Sequence, residues 1–249
     1  MIHSSDEAGG VRVLTLDHPP ANALDYELLV DLDRAVGAAE DDDAVRAVVL
    51  TAEGRFFCAG FDLRSPPRAG DEVEAMVGAY RAAHRHLLAL PKPTLALVNG
   101  HAIAGGLVLA LACDHRFSVE GDHLVGVNEV AIGAAYPSAA IEIVRLRLRH
   151  EHANHLVLGA DLHPAGVAVD MGIVEAIVSG DRARSVVLER ASRLGSYPRD
   201  VYAHAKRALI GDALERIDAT STEEELATAA LWTTDESRAA RSAQRRSLS

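Results

Sequence analysis

The chain has 249 residues, of which 49% are hydrophobic and 24% charged, and its formal net charge is −11. This composition provides for a sizeable core and excludes wholesale disorder, while the acidic balance argues against a dedicated nucleic-acid binder, which normally carries a basic face. Two cysteines, no signal-peptide pattern and no apolar run long enough to cross a bilayer predict a cytoplasmic protein without a membrane partner.

Hydrophobic periodicity predicts strands alternating with helices, and then helices alone. The predicted strands are, in chain order, 11–16, 45–50, 56–58, 94–98, 101–103, 114–119 and 173–178. The first predicted helix follows Asp25, its N-cap, with the apolar residues Leu24, Leu28, Leu32 and Val36 at a spacing of four. The later predicted helices are 72–90, 105–113, 153–158, 164–171 and most of the chain after 182. Residues 139–148 fit a helix or a strand, and 65–71 read as a loop rich in proline and glycine. This order indicates an α/β protein with a core over 1–190 and a helical region over 191–249.

Several common kinds of catalytic site lack their residues. The histidine-rich stretch 150–155 has Asn154 where a zincin helix needs its second histidine, so we interpret these histidines as solvated and predict no metal site. The glycines of 100–106 have the spacing of a phosphate-binding loop, but Leu107 and Val108 replace the lysine and hydroxyl residue that such a loop requires. A nucleophile elbow and a dinucleotide fingerprint are also missing.

Three segments remain as candidates for a site. Residues 57–63 and 99–106 each lead from an apolar strand into small residues, and 127–133 carries the single carboxylate Glu129 in a mostly apolar run. Taken singly, each segment is compatible with tight packing alone. Together, free backbone N–H groups at Ala59 and at the helix start Gly105 form an oxyanion hole, and Glu129 supplies a base whose pKa is raised by apolar neighbours.

These segments, with 20–24 and 91–93, resemble the crotonase superfamily of enoyl-CoA hydratases and isomerases, over about residues 11 to 178. The stretch from Gly100 to Ile143 is most similar to a bacterial, actinobacterial-type branch. The resemblance implies a spiral of repeated ββα turns followed by a C-terminal helical trimerisation region. It further implies a homotrimer or a dimer of trimers that binds an acyl-CoA thioester as substrate and holds no cofactor permanently.

The resemblance also assigns residues. Ala59 and Gly105 match the oxyanion-hole positions, and Glu129 matches a catalytic glutamate. The positions that match the CoA and acyl path are Ala21, Ala23, Phe61, Asp62, Leu63 and Gly106. Arg55, Arg64 and Lys92 are further candidates for the CoA phosphates, with ordinary surface cations as the alternative interpretation.

One position departs from the hydratase pattern. Hydratases of this family hold a water between two glutamates, and Val108 stands where the first of these would be. A single glutamate is instead what the Δ3,Δ2-enoyl-CoA isomerases of the family use to move a proton from C2 to C4. The sequence therefore favours an isomerase with Glu129 as the proton shuttle. A hydratase and a non-catalytic acyl-CoA-binding protein stay open as alternatives.

Overall fold

The structure, a computed structural model, describes residues 1–63 and 70–247, with side chains described up to residue 243. Within these residues the strands are β1 (Ile2–Glu7), β2 (Val11–Leu16), β3 (Ala47–Ala52), β4 (Phe56–Cys58), β5 (Thr94–Val98), β6 (His101–Ile103), β7 (His115–Val119), β8 (Leu124–Gly126), β9 (Leu162–Pro164) and β10 (Ala176–Val178). The helices are α1 (Tyr26–Asp41), α2 (Asp71–Ala89), α3 (Gly105–Ala112), α4 (Ser138–Arg147), α5 (His150–Gly159), α6 (Ala165–Asp170), α7 (Ala183–Gly195), α8 (Arg199–Ala219), α9 (Thr222–Ala230) and α10 (Asp235–Ser247).

The larger sheet has the strand order β1-β2-β3-β5-β7-β10, with β1 antiparallel and the remaining pairs parallel. Its inner strands β3 and β5 are buried on both faces, as parallel strands usually are. Alternate residues such as Val49 and Leu95 pack against α7, whereas Leu50 and Ala96 face the main core. The predicted domain boundary at residue 190 therefore falls inside a helix that packs on this sheet.

The smaller sheet positions the candidate site. Its order is β4-β6-β8-β9, and β4, β6 and β8 run parallel to one another. Because the carboxyl ends of parallel strands meet at one edge, the segments that follow these three strands lie together there. They begin at residues 59, 104 and 127, which are the segments that the sequence singled out.

The structure decides one ambiguous segment and adds the strand β1, which the sequence did not predict. The segment 139–148, which fitted a helix or a strand, lies in the helix α4 up to Arg147, because Ala139, Ala140, Ile143 and Val144 are buried along one side at helical spacing. The strand β1 escaped prediction because its sequence is polar and it pairs at the sheet edge with β2. The predicted loop over 65–71 lies outside the described residues except for its last two positions.

A buried ionic cluster fastens α8 to the core. Lys206 Nζ on α8 lies 2.9 Å from Asp114 Oδ2, and the Tyr202 hydroxyl donates to the same oxygen at 3.0 Å. Arg147 contacts the other carboxylate oxygen at 3.3 Å. Although burial works in the opposite direction, the cations Lys206 and Arg147 hold the pKa of Asp114 below its usual range. After α8 the chain turns back, and helices α9 and α10 lie over the edge of the smaller sheet.

In the described part of the chain, no helix has both the length and the apolar composition that a membrane span requires.

Candidate active site

Glu129 lies at the edge of the smaller sheet, immediately before the 3-10 turn Val130–Ile132. Its side chain is buried, with 5% of the residue exposed, and Oε2 has no hydrogen-bond partner among the described residues. Burial raises its pKa to about 7, while backbone groups and the neighbouring Tyr136 hydroxyl oppose the shift only in part. A carboxyl with this pKa accepts and returns protons near neutral pH.

Glu129 faces a pocket of about 200 Å³, which we call the catalytic pocket. Its lining is mostly apolar and comes from all three edge segments and from the C-terminal helices. The lining residues are Ala59, Phe61, Leu63, Ile103, Ala104, Asn128, Glu129, Ile132, Trp232 and Arg241. Glu129 is the only carboxylate among these described lining residues, and therefore the candidate for a base in this pocket.

Gly105 supplies the first N–H donor. It is the first residue of α3, where backbone N–H groups have no acceptor within the helix. Ala104 before it has φ +55°, in the left-handed region, and this turn directs the chain from β6 into the helix. A Cβ on Gly60, whose φ is +78°, would lie 2.7 Å from Ala104 Cβ and 3.2 Å from Gly105 N. The absence of a side chain at Gly60 therefore lets segment 59–63 lie directly against the Gly105 N–H.

The second donor differs from the one predicted. The Ala59 N–H already donates to Ala21 O at 3.1 Å, so the prediction that Ala59 supplies a free oxyanion-hole donor is wrong. Segment 21–24 runs parallel beside 59–62, with Leu24 N donating to Gly60 O and Asp62 N donating to Leu24 O. In such a bridge the Phe61 N–H faces the opposite side. It has no acceptor among the described residues, so the Phe61 N–H is the candidate second donor beside that of Gly105.

The position of segment 21–24 is set by Asn22. Its buried side-chain amide donates to Glu53 O at 2.9 Å and to Phe56 O at 2.8 Å, and its carbonyl oxygen accepts from His18 N at 2.7 Å. These bonds hold the segment where it engages Ala59. Ala21 and Ala23 thus stand beside the site and line neither of its pockets.

Two further predicted residues have packing roles instead of binding roles. A Cβ on Gly106 would lie 2.1 Å from Cys58 O, so this glycine permits α3 to approach β4 and does not line the catalytic pocket. Lys92 is buried, and its Nζ donates to Ala39 O at 2.7 Å and Asp42 O at 2.8 Å. It is therefore unsuited to bind a CoA phosphate. Arg55 is exposed, and Arg64 lies outside the described residues.

A second, mostly apolar pocket of about 340 Å³ adjoins the first, and we call it the chain pocket. The predicted residues Phe61 and Leu63 line both pockets, whereas Asp62 lines the chain pocket alone. The remaining wall of the chain pocket comes from α2, from the start of α4 and from α9 to α10. These wall residues are Val73, Met76, Val77, Ala135, Pro137, Glu225, Thr228, Ala229, Trp232, Thr233, Arg238 and Arg241.

Sequence reasoning missed the contribution of the C-terminal helices. Trp232 and Arg241 line both pockets, and Arg241 also donates to Ile132 O and Gly133 O beside Glu129. Trp232 is the only tryptophan in the chain, and that rarity was the one available signal. Sequence reasoning also missed His84, which is fully buried under the site with its Nε2 3.4 Å from Gly105 O.

The raised pKa of Glu129 predicts a pH dependence. Proton abstraction requires the ionised carboxylate, so kcat/KM should rise about tenfold per pH unit below pH 7 and level off above it. The profile of the free enzyme, measured with a substrate whose own ionisation is constant over pH 5 to 9, checks this. A profile that is flat across pH 5 to 7 would exclude Glu129 as the base.

Comparison with known proteins identifies the relatives of this site. The family model "Enoyl-CoA hydratase/isomerase" matches residues 6–245. The (7aS)-7a-methyl-1,5-dioxo-2,3,5,6,7,7a-hexahydro-1H-indene-carboxyl-CoA hydrolase of Mycobacterium tuberculosis is 32% identical over 222 residues, 88% of this chain and 88% of that protein. The enoyl-CoA isomerase/hydratase of Mycosarcoma maydis is 31% identical, covering 77% of this chain and 73% of its own length.

Among solved structures, human mitochondrial delta3-delta2-enoyl-CoA isomerase superposes with a TM-score of 0.93 at 22% identity, over 99% of this chain and 97% of that one. At this identity the likeness concerns the fold, and it confirms the predicted crotonase architecture with a C-terminal helical region. Because the family model matches nearly the whole of this chain, the chain belongs to the enoyl-CoA hydratase/isomerase family, which is the crotonase superfamily.

Proposed function

We propose that the chain is a Δ3,Δ2-enoyl-CoA isomerase. The observation that carries the proposal is the pairing of one buried carboxyl, Glu129, with two unpaired N–H groups, those of Phe61 and Gly105, at the same edge of the smaller sheet. A second carboxylate, which the two-glutamate hydration mechanism requires, is absent from the described lining of the catalytic pocket. Val108, which replaces it in the sequence, is fully buried in the apolar core.

In the proposed reaction the thioester oxygen accepts hydrogen bonds from the Phe61 and Gly105 N–H groups. Glu129 removes a proton from C2, and the electron pair moves into the thioester to form an enolate that the two donors stabilise. The protonated Glu129 then returns the proton to C4. The double bond moves from C3–C4 to C2–C3, and the carboxylate is regenerated without a net change in atoms or charge.

The apolar surroundings serve this cycle in two ways. They raise the pKa of Glu129 towards that of a group which both takes and gives a proton at neutral pH. They also keep water away from the enolate, which strengthens the two hydrogen bonds that hold it. The proposal retains an acyl-CoA thioester as substrate, no permanently bound cofactor, and a homotrimer or dimer of trimers as the assembly.

The deciding experiment supplies the purified protein with a 3-enoyl-CoA and, separately, with the 2-enoyl-CoA of the same chain length, and follows the absorbance of the conjugated thioester. We expect a rise with the first compound and no loss with the second. The Glu120→Gln variant, which alters an exposed carboxylate, is the matched control and should behave as the unmodified protein does.

The other outcomes each replace the proposal. Loss of absorbance with the 2-enoyl-CoA would mean that water is added with one glutamate, and the protein would be a hydratase. Silence with both compounds while a saturated acyl-CoA still binds would favour a different thioester reaction or a non-catalytic acyl-CoA-binding protein.

A further inference from the structure

Trp232 lies where the two pockets adjoin, together with Phe61, Leu63 and Arg241. It lines both of them, and its ring meets Phe61 edge to face with the ring centroids 5.1 Å apart. Two polar contacts fix its position: Nε1 donates to Ala135 O at 2.9 Å, and Arg241 donates to its backbone oxygen. These contacts hold the indole in place where the two pockets adjoin, and we call it the partition.

The chain pocket behind this partition suits an aliphatic tail. Its volume of about 340 Å³ is within the usual range for small-molecule sites, and side chains such as Val73, Met76 and Val77 form much of its wall. Glu129 lines the catalytic pocket and not the chain pocket. The chain pocket thus offers contact to the far end of an acyl group and takes no part in the chemistry.

The position of the thioester gives the tail its direction. A carbonyl oxygen held on the Phe61 and Gly105 N–H groups would place the following carbons in the catalytic pocket, which Phe61 and Glu129 both line. Phe61 carries one of these donors, and its ring, packed against Tyr80 at 5.0 Å and Trp232 at 5.1 Å, forms the adjoining wall. A longer chain that extends from the catalytic pocket into the chain pocket has to pass the residues that line both, among them Phe61 and Trp232.

We propose that Trp232 is the specificity-determining residue that limits the enzyme to short straight-chain acyl-CoA thioesters. Removing the indole joins the two pockets and admits longer chains. This inference rests on the proposed acyl-CoA site, but it does not require that the reaction be an isomerisation.

The test measures the affinities of saturated acyl-CoA thioesters, from butanoyl to dodecanoyl, by calorimetry. These compounds cannot isomerise, so the result is independent of the proposed reaction. In the unmodified protein, each added methylene should tighten binding about fourfold until the tail meets the indole, and then the gain should cease. In Trp232→Ala the gain should continue, tightening decanoyl-CoA at least about tenfold relative to the unmodified protein and changing butanoyl-CoA less than about threefold.

Leu231→Ala is the matched control, because Leu231 neighbours Trp232, is exposed and lines neither pocket. It should keep the chain-length profile of the unmodified protein. Trp232→Leu preserves apolar packing against Phe61 in a shorter side chain, so it should shift the profile in the same direction if the alanine variant does not fold.

Two outcomes would overturn the inference. One is an unmodified protein whose affinity already rises steadily through dodecanoyl-CoA. The other is a Trp232→Ala or Trp232→Leu variant that alters butanoyl- and decanoyl-CoA affinity by equal factors. If saturated thioesters show the expected affinity profile and the 3-enoyl-CoA assay shows no change in absorbance, the inference about Trp232 holds and the isomerase proposal is contradicted.

Discussion

The Glu129→Gln variant should lose about 10²–10⁴-fold in kcat for 3-enoyl-CoA isomerisation and still bind saturated acyl-CoA thioesters. Glutamine preserves the size of the side chain but neither accepts nor returns a proton at neutral pH. The two N–H donors at Phe61 and Gly105 are backbone groups and stay in place. Single-turnover rates and thioester affinities, measured side by side with Glu120→Gln, separate lost chemistry from lost binding.

The stability of the same variant provides a second readout. The pKa of Glu129 is raised in the folded protein from 4.5 to about 7, so the folded state binds a proton that the unfolded state has released between these pH values. The free energy of unfolding therefore falls as pH rises from about 4.5 to about 7, by about 3 kcal/mol in all, and is constant above.

Glutamine carries no charge at any pH, so Glu129→Gln should escape this loss. We expect it to be at least as stable as the unmodified protein at pH 8, with the advantage shrinking towards pH 5. Urea titrations at the two pH values measure this. A variant that keeps near-normal turnover, or that loses activity because it is unfolded at pH 8, would contradict the role given to Glu129.

The Asp114→Asn variant should lower the free energy of unfolding by about 3–5 kcal/mol. In the unmodified protein the buried Lys206 ammonium lies 2.9 Å from the Asp114 carboxylate. The substitution leaves this ammonium without its counter-charge. Removing one partner of a buried ion pair costs more than removing both, because the remaining charge stays out of water. At this chain length the loss corresponds to a fall in Tm of roughly 6–20 °C.

The double variant Asp114→Asn/Lys206→Met provides the internal check, since it removes both charges and should recover a large part of the stability. Asp31→Asn, in the exposed pair with Arg34, is the matched control and should change stability by less than about 0.5 kcal/mol. An Asp114→Asn protein within about 1 kcal/mol of the unmodified one would show that α8 is held by its apolar contacts alone.

The sequence sufficed to predict features that depend on local patterns. The buried strands of the larger sheet, α1 with its Asp25 cap and the three site segments all follow from apolar spacing and small residues next to strand ends. Glu129 stood out as a candidate because a carboxylate in an apolar run is costly to bury, and the structure does bury it.

The errors concern features set by distant partners. Whether Ala59 or Phe61 has a free N–H depends on which side of the strand pairs with residues 21–24, and no local pattern shows that. Lys92 has the composition of a surface cation, yet the carbonyl oxygens of Ala39 and Asp42 draw it inside. Trp232 reaches the site only because α9 and α10 fold back across it.

Because the C-terminal helices fold back over the site, ligand binding stabilises these helices against local unfolding. A thioester in the catalytic pocket would touch segment 59–63 on one side and Trp232 on the other, and these two walls meet at the ring contact between Phe61 and Trp232. Local fraying of α9 and α10 would separate the two walls, so a bound ligand opposes it with its full binding free energy. The protection of the backbone amides of α9 and α10 against hydrogen exchange should therefore rise as ligand fills the pocket.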